Sequence, residues 1–169
     1  MNAAALAEPA AEITRYFAAE RAESAVFLAA AVAAAAVSAV LVALRSPYHA
    51  MAWPLLAVGL IQLVVGGTIF LRTPAQMARL LAQLRSSPSA CQADETVRMR
   101  RVQRSFVLYK RIEIFLLALG LALASIESYG RAFYAVGLGL ILEAGLMLAL
   151  DLRAERRGRR YLEILKTSW

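Results

Sequence analysis

Between residues 132 and 150 the chain is apolar, aromatic or glycine at every position except Glu143. A run of that length matches the roughly 20 apolar residues an α-helix needs to cross a bilayer. Three other stretches share its character. Residues 25–44 are interrupted only by Ser38, residues 51–71 contain Gln62, Thr68 and Pro54, and residues 114–126 are apolar but short. The third run reaches spanning length only if its helix extends over 109–129 and takes in Arg111, Glu113 and Glu127, whose long side chains snorkel to the interface. Hydrophobic residues make up 60% of the 169-residue chain, against roughly 45–50% apolar residues in soluble domains. A bilayer is the solvent that suits such a surface.

These runs predict an all-α integral membrane protein with four transmembrane helices, at about 24–44, 51–71, 109–129 and 132–151. The turns at 45–50 and 127–131 are short, and short turns make antiparallel neighbours. The fold is therefore expected to be two antiparallel hairpins in one membrane domain. The first run is read as a retained span and not as a signal peptide, because no basic segment opens the chain and several acids precede the run.

Charge sets the expected orientation. Of the 19 Lys and Arg residues, only Arg45 and Arg131 fall in the two short turns. The others flank the opposite ends of the spans, which by the positive-inside bias places both termini and the central segment in the cytoplasm of a bacterial-type inner membrane. The formal net charge of +7 then points to anionic lipids at the cytoplasmic face, and not to nucleic acid. Tyr48, Trp53, Tyr129, Phe133 and Tyr134 are placed at the outer interface. Tyr16, Phe17, Phe70, Phe106 and Tyr109 are placed at the inner one.

Helical cytoplasmic extensions are expected at about 9–23, 74–85, 94–110 and 152–166. Thr73-Pro74-Ala75-Gln76 reads as a helix start, with Thr73 as cap and Pro74 in the first helical position. Ser86-Ser87-Pro88-Ser89 reads as a break. The single Cys91 is placed in the cytoplasmic loop as a reduced thiol without a partner.

The hairpins resemble each other. Arg21-Ala22-Glu23 leads into the first span and Arg111-Ile112-Glu113 into the third. Gln62 stands ten residues before Arg72, and Glu143 ten before Arg153. A parallel internal repeat would put Gln62 and Glu143 at one depth near the membrane midplane.

Two readings of Glu143 follow. A carboxyl at mid-bilayer costs at least a few kcal/mol unless it faces the bundle interior, either as a proton, ion or ligand site or as a hydrogen bond, with Gln62, that locks two spans. Arg21, Glu23, Arg111 and Glu113 are read as interfacial charge pairs, either anchors for a partner or lipid head groups, or ordinary interfacial charge in which Glu23 or Glu113 pairs a cytoplasmic arginine of a neighbouring helix. His49 stands alone in an outer turn, without metal-ligand company. No Ser/His/Asp set, paired cysteines, phosphate-cradling glycine loop or HExxH occurs, and no cofactor or metal is expected. The predicted function is non-enzymatic: an inner-membrane protein acting through helix–helix or partner-protein contacts, such as an accessory subunit or a toxin-immunity protein, with a protein partner or homo-oligomerisation. The alternatives are a small channel or proton-coupled carrier centred on Glu143, and an anionic-lipid-binding scaffold.

Overall fold

The computed structural model describes residues 3–125 and 130–167. These residues form four α-helices: α1 (Ala3–Ala43), α2 (Ala52–Ser86), α3 (Pro88–Ser125) and α4 (Arg131–Thr167). Their length follows from composition, since Ala and Leu, the best helix formers, dominate them. At 1.5 Å per residue each is roughly 50–60 Å long, well beyond the ~30 Å hydrocarbon core of a bilayer. Three helical stretches are long and apolar enough to cross a membrane: Leu6–Ala43, His49–Ser86 and Arg131–Thr167. α3 is not in that group. Its apolar part begins only after Glu113, and the described helix ends at Ser125. Glu127 and Tyr129, placed by sequence at the outer turn, lie outside the described residues.

The connections are tight. α1 ends in a turn in which Arg45 adopts a left-handed φ of 47° and the Ser46 N–H bonds the Leu41 carbonyl at 3.0 Å. A 3₁₀ turn, His49–Met51, then leads into α2. Ser87 alone separates α2 from α3, donating to the Gln83 carbonyl at 2.8 Å and accepting from the Cys91 N–H at 2.9 Å. Pro88 occupies the first helical position, where its missing N–H costs nothing. The bundle therefore runs up-down-up-down. α1 packs along α2 and α3 along α4, and the hairpins meet mainly through α2 and α4.

Two halves of the bundle are built differently. Toward the Tyr48 turn the helices meet through small residues. Ala31, Ala34 and Ser38 of α1 are buried, as are Ala52 and Gly59 of α2. α3 and α4 cross almost in backbone contact, since a Cβ on Gly137 would lie 2.7 Å from the Gly120 carbonyl oxygen. Val32, Leu60, Val64, Phe115 and Leu142 point outward. In water this surface would be an aggregation liability.

The half ending at the Ser87 turn has a true hydrophobic core. Ile13, Phe17, Leu80, Leu84, Cys91, Met99, Tyr161 and Leu165 cluster there, and all are buried. Tyr16 stacks on Tyr161 with ring centroids 4.4 Å apart.

This packing corrects several sequence-based expectations. Thr73 caps no helix, because α2 runs through Pro74 without a break. The Thr73 hydroxyl lies 2.7 Å from the Ile69 carbonyl and 3.1 Å from the Glu20 carboxylate. Packing against α1 on both sides of Pro74 outweighs the local start signal. α3 starts at Pro88, not near Asp94, so Cys91 sits in a helix and is fully buried instead of in a loop. Tyr16 and Phe17 belong to the core and not to an interfacial belt, because α1 extends past the apolar run into a four-helix environment.

Candidate functional site

α4 carries a stripe of acids that faces the bundle interior. Glu143, Asp151 and Glu155 are all buried and lie at multiples of four residues, on one side of the helix. From that stripe and its flank, α4 reaches each neighbouring helix through polar side chains.

The first contact is to α2. Gln62 Nε2 donates to Glu143 Oε2 at 2.7 Å. Gln62 is fully buried and Glu143 is 5% exposed. The structure thus brings together the two polar residues that the apolar runs isolate. Gln62 Oε1 has no partner among the described residues. Four residues before Glu143, Gly139 lets α4 press against the start of α2, where a Cβ would come within 2.5 Å of Pro54 Cγ. That close approach brings the two side chains within bonding distance.

About two helical turns below Glu143, the Asp151 carboxyl neighbours Glu113 of α3. Both Glu113 oxygens are buried, with the Asp151 carboxyl beside them. One turn further, Glu155 accepts from Lys110 of α3 at 2.7 Å and from Arg159 at 3.0 Å. The Lys110 hydrogen bond holds the Glu155 carboxyl below the ordinary carboxylate range, against the opposing effect of burial. Arg157 makes an ion pair with Glu23 of α1.

Among the described residues neither Glu23 nor Glu113 pairs with the arginine two residues before it, and Glu23 pairs with an arginine of a neighbouring helix. Residues two apart on a helix do not face each other. Arg21 lies over the Phe70 ring, 4.5 Å from its centroid. Arg111 is exposed, Glu23 reaches Arg157, and Glu113 turns inward toward Asp151.

Closer to the Ser87 turn, Arg98 grips Glu95 with two hydrogen bonds of 2.7 and 2.6 Å. Burial alone would lower the Arg98 pKa, but Glu95 more than reverses this and raises it. Burial pushes Tyr16 up to about 12 and raises Tyr161 further. Cys91 is pushed up to about 11 by burial, reinforced by Glu95 and Asp94. A thiol so placed is a poor nucleophile.

Sequence reasoning missed the Lys110–Glu155 and Glu95–Arg98 contacts. The four-residue stripe on α4 was the available signal for Glu155, since it extends the Gly139–Glu143–Asp151 spacing by one more turn. The partners on α3 carry no comparable mark. The stripe also limits its own chemistry. Met147 stands between Glu143 and Asp151, which are about 12 Å apart along the helix, too far for direct proton transfer. His49 Nδ1 lies 3.0 Å from the Ser46 carbonyl oxygen. Among the described residues no group of three or more His, Cys, Asp or Glu side chains is placed to hold a metal ion. Comparison with protein-family models, curated proteins and solved structures finds no match for this chain.

Proposed function

We propose that this chain is a non-enzymatic integral membrane protein that works by contact with a partner protein, with its small-residue half in the bilayer and its cored half in the cytoplasm. In this reading α3 crosses alongside the three more apolar helices, shielded by α4. Both termini and the Ser87 turn face the cytoplasm of a bacterial-type inner membrane, where the positive-inside bias puts the arginine-rich ends. Accessory subunits and toxin-immunity proteins are proteins of this kind.

One observation carries the reading: Glu143, Glu155 and Arg157 of α4 are each engaged with a neighbouring helix. The Gln62–Glu143 hydrogen bond ties one hairpin to the other, and the ion pairs Lys110–Glu155 and Glu23–Arg157 fasten α4 to α3 and α1. Such contacts hold a bundle in register. The result is a stiff cytoplasmic stalk with charged outer faces, suited to docking. The similarity of the hairpins, with Gln62 and Glu143 meeting across them, supports an internal repeat.

Two measurements test this. Purified protein in liposomes under a proton or alkali-cation gradient should show no flux above empty vesicles. Saturable flux that disappears in Glu143→Gln would replace this reading with a carrier centred on Glu143. Photo-crosslinking residues placed at the exposed Arg100, Arg104 and Arg159, in the native membrane, should give a discrete protein adduct. Adducts to lipid alone at every position would overturn the partner reading.

A further inference from the structure

A groove of about 340 Å³ opens between α1 and α4 on the cored half of the bundle. It exists because α1 and α4 pack on each other far less than either packs within its own hairpin. Its floor includes the stacked rings of Tyr16 and Tyr161, and its rim carries Arg15, Arg156, Arg157 and Arg160. Glu12 is the acid that lines it.

The arginines are not equivalent. Arg15 is paired with Glu12, and Arg157 with Glu23 while also lying 5.5 Å from the Tyr16 ring centroid. Arg156 and Arg160, four residues apart and so on one face of α4, are exposed and make no ion pair among the described residues. The groove therefore holds an uncompensated positive charge beside a ready-made aromatic and aliphatic wall. Guanidinium groups present planar forks that match phosphate oxygens two at a time.

Depth narrows the ligand further. Arg156 lies about 9 Å and Arg160 about 15 Å beyond the end of the apolar run of α4, at 1.5 Å per residue. Under the membrane placement proposed above, that is the level of lipid headgroups and the water just outside them. We propose that the α1–α4 groove is a binding site for a phosphate ester, with Arg156 and Arg160 as its principal ligands and Arg15 and Arg157 as the flanking charges. The phosphate belongs either to an anionic lipid or to a soluble phosphate compound. The proposal rests on the groove and on that membrane placement, and stands whether or not a partner protein exists.

The test uses the full chain purified in an uncharged detergent. Phosphatidylglycerol, phosphatidylcholine and inorganic phosphate are titrated separately, and bound ligand is counted by native mass spectrometry. One phosphatidylglycerol should bind at least about fivefold more tightly than phosphatidylcholine. Replacing Arg156 and Arg160 together by Gln should weaken it by at least about fivefold, since each basic side chain near an anionic headgroup contributes on the order of a fivefold change. The control Arg100→Gln with Arg104→Gln, on α3, should change binding less than twofold. Circular dichroism confirms that each variant keeps its helices. Binding of phosphate that displaces phosphatidylglycerol identifies a soluble phosphate as sufficient, and lipid binding without such competition identifies the lipid as the source. No preference for phosphatidylglycerol together with no phosphate binding overturns the site. So does equal loss in the control variant.

Discussion

The hydrogen bond between Gln62 and Glu143 can be measured by a double-mutant cycle with Glu143→Leu, Gln62→Leu and the double variant. Removing Glu143 alone leaves the Gln62 amide buried at 0% exposure without its acceptor, a situation that costs about 1–3 kcal/mol. Removing both replaces the pair with apolar packing of similar size and should cost less than the two single changes together. Interhelical hydrogen bonds in membrane bundles average about 0.6 kcal/mol and reach about 1–2 kcal/mol. The closed 2.7 Å geometry puts this pair in the upper part of that range, so a coupling of about 1 kcal/mol is expected. Glu143→Gln is the informative companion. Its amide can accept from Gln62 Nε2 and also supply the donor that Gln62 Oε1 lacks, so stability should stay within about 0.5 kcal/mol of the native protein. Reversible unfolding in mixed micelles, followed by circular dichroism, gives the four stabilities. A coupling indistinguishable from zero, or a Glu143→Gln variant as unstable as Glu143→Leu, would refute the lock.

Gly137→Ala should cost about 1–3 kcal/mol by the overpacking of a close crossing, because its Cβ would press on the Gly120 carbonyl at 2.7 Å. Gly145→Ala, where a Cβ meets nothing within 4 Å, should be neutral or stabilise by up to about 1 kcal/mol; the same unfolding assay separates them, and equal effects would contradict the crossing. Arg45→Gly should raise stability by about 1 kcal/mol, since a left-handed backbone costs a side-chain-bearing residue roughly that much; a clear loss would argue against the φ of 47°. Cys91 and Tyr16 give the pH dependence. Their folded-state values, about 11 and about 12, lie above the ordinary 9.0 and 10.0, so the stability they confer is fully present below pH 9 and is lost as pH rises through 11 to 12. The slope is on the order of 1.4 kcal/mol per pH unit for each group. Alkaline unfolding should shift to higher pH in Tyr16→Phe, and an unchanged curve would remove Tyr16 from the account.

The helical class, the break at Ser87 and the isolation of Gln62 and Glu143 were all legible in the sequence, because apolar run length and a lone polar residue within a run are strong local signals. The extent of the helices was less so. Thr73-Pro74 has the chemistry of a helix start, yet α1 packs on both sides of it and carries α2 straight through. Tyr16 and Phe17 have the composition of an interfacial belt, and only the presence of three other helices at that level turns them into core. Arg21-Ala22-Glu23 and Arg111-Ile112-Glu113 look like matched charge pairs in the linear sequence. Helical geometry instead turns both acids toward α4, Glu23 to Arg157 and Glu113 toward Asp151, each more than 35 residues away in the chain.

The contrast between the two halves of the bundle gives the molecule two kinds of cohesion. The half around Phe17, Leu84 and Met99 is held by withdrawal of apolar surface from water, which urea weakens directly. In the membrane placement proposed above, the half around Gly120, Gly137 and the Gln62–Glu143 bond is held by close van der Waals contact in a solvent as apolar as itself, which urea hardly touches. Denaturant should therefore open the bundle from the Ser87 end first, while the glycine-lined end stays helical until the detergent is changed. Urea and a harsher detergent would then report two different midpoints for the same chain.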